Sequence, residues 1–328
     1  MKVWLVHVGK LLFSSLLLFV AVITVLFFLL EIAPGDPVQA LVGDVPISDA
    51  VREQLVAAYG LDRPLFVRYI TYLGNVFMGD LGYSYATNAQ PVLDLILSRA
   101  GNTLALAFPA FLLATVGGIV LGSIAARTRK RWLDGGISGT AVGLFSVPNF
   151  WLGMLLILVF SIWLGWLPTG GMAPYGQTGI RLSYLVLPVI TMATTELAYK
   201  TRIMRSSMIE SLGQDFIDAA RSKGLSSRRV LWRHAAPNAL LPMISVAGYS
   251  LGTILAGSVL VERVFGWPGM GLLFFDAIER KNNMVALGIV IVLTVTIIIV
   301  NILTDLVYGL VDPRLRARFI PRRQEVAR

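Results

Sequence analysis

The residues in this chain best suited to chemistry are few and scattered. Glu196 and Lys200 stand four apart, the spacing that brings opposite charges together on one helix face. Asn301 and Asp305 repeat that spacing further on. Neither His7 nor His234 stands in a cluster of metal-ligating residues, and there is no cysteine to form a disulfide or a thiolate. The pair Gly9-Lys10 lacks the upstream glycine of a phosphate-binding loop and is followed by Leu11. No catalytic, metal or cofactor site is expected. Glu196 and Lys200 are left with two readings, a structural ion pair or the polar lining of a solute path. Pro148 and Asn149 share those readings.

The elements that hold these residues are set by hydropathy. The chain is 56% hydrophobic and 14% charged, and its apolar residues run in long blocks. About twenty residues at 1.5 Å rise cross a ~30 Å hydrocarbon layer. Six blocks have that length, at about Leu11–Leu30, Thr103–Ala126, Gly136–Leu164, Tyr184–Met204, Leu240–Val261 and Met284–Val311. This predicts an all-α polytopic membrane protein. The first block is too long for a signal peptide's apolar core, and no small-x-small cleavage site follows, so it reads as a retained helix. Pro148 lies inside the third block, in Ser146-Val147-Pro148-Asn149, and predicts a kink or break in what counts as one bent span.

Six spans place both termini on one side. The termini and loops of that side hold twenty Lys and Arg, against eight in the three opposite loops. The positive-inside rule makes the richer side cytoplasmic, and Arg127, Arg129, Lys130 and Arg131 mark it most sharply. The net charge of +9 thus reports loop orientation rather than a nucleic-acid partner. The chain divides into residues 1–31 (cytoplasmic tip and first span), 32–101 (external helical segment), 102–311 (five-helix core) and 312–328 (basic cytoplasmic tail).

The external segment opens with Ala33-Pro34-Gly35-Asp36-Pro37, a helix stop. Ser48 suits an N-cap for a helix ending near Tyr59, with Gly60 after it. Pro64 suits the start of a second helix with an apolar stripe of Leu65, Tyr69, Leu73 and Val76. The stripe either packs on the outer ends of the spans or docks an external partner. Gly79-Asp80-Leu81-Gly82 predicts a turn, and Phe265–Gly271 an external turn that is either packed re-entrant chain or a gate.

The cytoplasmic loop at about 205–238 is the most informative stretch. Met204, Met208, Leu212, Phe216 and Ala220 repeat every four residues, an apolar edge on a charged helix. Gly224 suits a left-handed C-cap, Ser226 or Ser227 a second N-cap, and Pro237 a limit to that second helix. The hairpin either lies on anionic lipid or serves as a rigid lever for a cytoplasmic partner.

In its residues this loop resembles the signature of ABC-importer permeases, Glu-Ala-Ala, three residues, Gly, nine residues, Ile-x-Leu-Pro. It stands here as Asp218-Ala219-Ala220, Gly224, then His234-Ala235-Ala236-Pro237, with Asp for the leading Glu. The ending His234, Pro237, Asn238 is similar to the dipeptide/oligopeptide/nickel branch. So are Ala33–Pro37, Leu61-Asp62-Arg63-Pro64, Gly79–Gly82, Val147–Phe150, Phe265–Gly271 and Asp312-Pro313-Arg314. The resemblance implies six transmembrane helices of the type I ABC importer kind in a bacterial inner membrane, and no cofactor. It implies ATP hydrolysis on two separate ATP-binding subunits, a second homologous permease and an extracytoplasmic substrate-binding protein. It assigns coupling to Asp215, Asp218, Ala219, Ala220 and Gly224, with Arg221 and Lys223 as charged contacts. Peptides lead among the cargo classes, with nickel complexes, glutathione and oligosaccharides beside them. The rivals are an ion-coupled transporter or channel and a membrane-anchored sensor or scaffold.

Overall fold

The computed structural model describes residues 2–32, 38, 47–58, 60–84, 90–128 and 130–311. Ala33–Pro37, Tyr59, Asn88, Arg129 and the tail from Asp312 lie outside the described residues. The regular structure is helical: α1 (Lys2–Ile32), α2 (Asp49–Ala58), α3 (Leu65–Phe77), α4 (Val92–Arg127), α5 (Arg131–Phe145) and α6 (Asn149–Leu156). A π-helical stretch, Ile157–Trp163, extends α6. There follow α7 (Leu182–Leu212), α8 (Asp215–Ser222), α9 (Ser227–Val230), a π-turn at Leu231–Ala235, α10 (Ala236–Phe265), α11 (Met270–Glu279) and α12 (Asn283–Val311). α1, α4, α7, the run Ser227–Phe265 and α12 are each long and apolar enough to cross a membrane, and α5 with α6 makes a sixth crossing if counted as one span.

Between α5 and α6 the chain bends by 104°, so the predicted kink is a full break. Proline offers no amide hydrogen and disfavours helical angles in the residue before it. α5 accordingly ends at Phe145 with Ser146 as its C-cap, and Pro148 enters α6 with an extended ψ of 133°. Such a break is a broken span or a re-entrant turn.

The described residues form two compact units. The first is drawn from Met1–Leu11, Leu104–Trp267 and Ile297–Arg328. In it α7 packs against α5, α6 and α10. α4 meets α7 through glycines: a Cβ on Gly118 would lie 2.6 Å from Lys200 Cβ, and one on Gly122 would lie 2.6 Å from the Thr201 carbonyl oxygen. In lipid, helices associate by close packing rather than by the hydrophobic effect, so small residues at a crossing are what allow contact. Several hydroxyls are satisfied within their own helices. Thr191, Thr201 and Thr304 donate to the carbonyl oxygens of Leu187, Leu197 and Val300 at 2.8, 2.7 and 2.8 Å.

The second unit is drawn from Leu12–Thr103 and Pro268–Thr296. The Ser48 hydroxyl accepts from the Val51 amide at 3.4 Å, and Gly60 has φ +62°, as the capping pattern predicts. α3 lies along α1. Tyr69 Oη and Thr24 Oγ1 share a 2.7 Å hydrogen bond, Phe27 stacks on Tyr72 at 5.7 Å, and Arg68 forks onto both Glu31 carboxylate oxygens. The α3 stripe thus packs on the first long helix. Its membership differs from the prediction, because Leu65 is exposed and Tyr72 is buried in its place. Gly79 and Gly82 have φ of +84° and +81°, and the Gly82 amide donates to Asp80 Oδ1 at 2.9 Å, closing the predicted turn.

The glycine seam predicts a contrast. Gly122→Ala should lower the unfolding temperature of the purified chain, by an overpacking cost of about 1–3 kcal/mol. Gly139→Ala, where nothing lies within 4 Å of an added Cβ, should leave stability within about 0.5 kcal/mol or raise it. Thermal unfolding in detergent measures both, and equal shifts would contradict the close approach of α4 and α7.

Candidate functional site

The segment singled out by the sequence forms a tight hairpin between α7 and α10. α7 continues past the predicted end at Met204 to Leu212, and Gly213 caps it. Gln214, with an extended ψ of 147°, opens α8. Gly224 takes φ +75°, the left-handed conformation that glycine reaches without steric cost. Its amide donates to the Arg221 carbonyl oxygen at 2.9 Å, and the Leu225 amide to that of Ala220 at 3.4 Å. Ser226 holds the N-cap position of α9, although its hydroxyl makes no capping bond.

The hairpin departs from expectation at Pro237 and Phe216. Pro237 does not limit the short helix. It sits in the first turn of α10, within a helical run that continues unbroken from Ser227, and the missing amide hydrogen coincides with the π-turn at Leu231–Ala235 just before it. The four-residue stripe also fails at Phe216, although Ala220 is buried as expected. The break at Gly213–Gln214 resets the helical phase, so Ile217 is fully buried while Phe216 is 41% exposed.

Ile217 and Ala220 join Met204, Met208, Val230, Leu231, Ala235 and Ala236 in one apolar cluster. The buried Ser211 hydroxyl donates to the Ala235 carbonyl oxygen at 2.9 Å, tying the last turn of α7 to the π-turn. The inner face of α8 is therefore locked to the two long helices that flank it. On the outer face Asp215, Asp218, Ala219, Arg221, Lys223 and Gly224 are exposed, whereas Ala220 belongs to the interior. Asp215 and Asp218 occupy the first turn, where the helix dipole favours negative charge. Asp218 and Arg221 pair at 3.2 Å, but both are mostly solvated, so the pair adds little stability. His234 is partly buried, and its carbonyl oxygen accepts from Asn238 Nδ2 at 2.8 Å.

The membrane-depth candidates lie on α7 and its neighbours. Lys200 is fully buried, with its Nζ 3.8 Å from Glu196 Oε2 and 4.8 Å from the centre of the Phe111 ring. It donates to Thr115 Oγ1 at 3.0 Å, and Glu196 Oε1 accepts from Thr253 Oγ1 at 2.7 Å. The pair joins α4, α7 and α10. Asn149, the first residue of α6, accepts a hydrogen bond from the Thr195 hydroxyl, and Pro148 sets the break just before it. Sequence reasoning missed Arg205, which forks onto Asp134 at 2.6 and 2.7 Å across 71 residues. Nothing in the local spacing signals a pair so distant.

Comparison with known proteins places this arrangement. The family model described as "binding-protein-dependent transport system inner membrane component" matches residues 118–317, and the model for that family's N-terminal membrane part matches residues 5–107. The chain is 40% identical over 297 residues to the oligopeptide transport system permease protein AppB of Bacillus subtilis, covering 89% of this chain and 94% of that protein. It is 37% identical over 322 residues to the dipeptide transport system permease protein DppB of Escherichia coli K12, covering 91% and 95%. Among solved structures, an inward-facing MetNI methionine ABC transporter chain is similar with TM-score 0.57 at 18% identity, covering 67% of this chain and 97% of that one. An amino acid ABC transporter solved with histidines follows at TM-score 0.53 and 18% identity, covering 66% and 94%. The fold is therefore the type I ABC importer kind that the loop signature implied. With the helices and the hairpin between α7 and α10 both lying within family matches, this chain belongs to the inner-membrane components of binding-protein-dependent transport systems.

Proposed function

We propose that the chain is the permease subunit of an ATP-driven peptide importer and that α8 with Gly224 is the element through which separate ATPases act on it. The observation that carries this reading is the two-faced hairpin. Its inner face is fixed to α7 and α10 by burial and by the Ser211 bond, so a push on the outer face moves long helices rather than bending a loop. Its outer face offers Asp215, Asp218, Ala219, Arg221 and Lys223 to a partner. The peptide cargo is taken from the names of the relatives AppB and DppB.

In this reading a second permease of similar kind completes the solute path, two ATP-binding subunits engage the hairpins, and an external binding protein delivers cargo. Both termini and the hairpin face the cytoplasm, on the strength of the twenty-to-eight division of Lys and Arg. The ion-coupled alternative has two features on its side, the break at Pro148 and the buried Glu196–Lys200 pair. That pair joins three helices and serves as a clamp.

An ATPase should co-purify with the wild-type chain and be lost from Asp218→Lys, which reverses an exposed charge without disturbing the buried face. Gly224→Pro should lose it too, because proline holds φ near −65° and removes the amide that donates to Arg221. Undiminished ATPase recovery with both variants would refute the coupling assignment. Orientation has a separate test: a phosphatase fused near Asn88 should be active and one fused near Ser226 inactive, with the reverse pattern inverting the topology.

A further inference from the structure

Where α4 turns into α5, the first unit carries a groove that neither the hairpin nor the polar clamp uses. Its volume is about 330 Å³, and α4, α5 and α7 line it with Leu121, Leu133, Ile137, Ala141, Leu144 and Leu197. The lining is almost wholly apolar. Gly136 also borders it, and a Cβ at that position would have nothing within 4 Å, so the groove is open space rather than a packed seam. At the α4–α5 turn Arg127, Lys130 and Arg131 are exposed, and among the described residues none of the three makes an ion pair. The one acid in the first turn of α5, Asp134, is already paired with Arg205. None of the three basic residues lines the groove itself, but they lie in the turn directly before Trp132 and Leu133, which do, and that basic turn is uncompensated. Trp132 lines the groove beside these charges and is 72% exposed, the amphipathic side chain that settles at a membrane–water boundary.

An apolar slot between membrane helices with unpaired cations at its boundary end has the chemistry of a phospholipid seat. We propose that this groove binds a phospholipid with an anionic headgroup, one acyl chain lying along α5 and the headgroup phosphate meeting Arg127, Lys130 and Arg131. A zwitterionic lipid fills the same slot but gains less from the three cations, so the site selects for net negative charge. A protein helix with apolar side chains is the competing occupant. It is disfavoured because the slot opens beside a cluster of unpaired cations, which a buried protein contact would have to desolvate. The inference stands apart from the coupling assignment, because it uses no residue of the hairpin.

Native mass spectrometry of the full-length chain in mild detergent tests it, with equimolar phosphatidylglycerol and phosphatidylcholine of identical acyl chains. The wild type should retain phosphatidylglycerol in preference. R127Q/K130Q/R131Q should lose that preference by about fivefold per charge removed. G136L, which fills the groove, should lose adducts of both lipids. Equal retention of the two lipids by the wild type would overturn the proposal, and so would an undiminished preference in the charge variant. If G136L keeps its adducts but loses capture of a second permease chain, the groove belongs to a protein partner and the lipid assignment fails. The charge variant alters no buried residue, so its result stands even if G136L does not fold.

Discussion

Inside a bilayer no water is available to satisfy a backbone amide, a carbonyl or a polar side chain, and most features of this protein answer that constraint. The long helices pair their own backbone groups. Thr191, Thr201 and Thr304 return their hydroxyl hydrogens to carbonyl oxygens four residues back. Lys200, fully buried, is surrounded by Glu196, Thr115 and the face of Phe111. Leaving one member of such a pair without its partner is far less favourable than burying the matched pair. The same constraint limits where irregular chain can occur. At Ser146–Pro148 the helix breaks, and the Asn149 side chain that follows is held by Thr195.

Packing converts these helices into a device. With no hydrophobic drive between helices in lipid, contact depends on glycines such as Gly118 and Gly122, which bring the α4 and α7 backbones together. α7 then runs into the hairpin without a flexible joint. Gly213 and Gln214 redirect the chain, but Ile217, Ala220 and Ser211 fasten α8 back onto the α7 and α10 ends. On the proposed reading this stiffness is what lets motion of a partner ATPase reach helices at membrane depth. A loosely tethered loop would absorb the same displacement.

The sequence was most legible where structure is decided locally. Gly60, Gly79, Gly82 and Gly224 were expected in turns or caps, and all take positive φ, because that conformation depends on one residue's missing side chain. The spans were legible because bilayer thickness sets their length. The failures share a cause. The four-residue repeat puts Phe216 on the buried edge, but the two-residue break at Gly213 turns the phase by enough to bury Ile217 instead. Pro237 looks like a stop in the sequence, but the π-turn at Leu231–Ala235 lets the helix run on through it. Leu65 lost its place to Tyr72 because the buried face of α3 is chosen by the aromatic rings of α1. The Asp134–Arg205 fork and the Thr115 and Thr253 bonds to the clamp link helices distant in sequence, and no spacing rule reaches them.

The central claim is that the energy for transport comes from ATP hydrolysed on another chain. Peptide uptake into proteoliposomes measures this directly. The chain with its companion permease should give no uptake above empty vesicles under an imposed proton or sodium gradient, and ATP-dependent uptake once the ATPases and binding protein are added. Gradient-driven peptide uptake by the chain alone, with no ATPase present, would contradict the account.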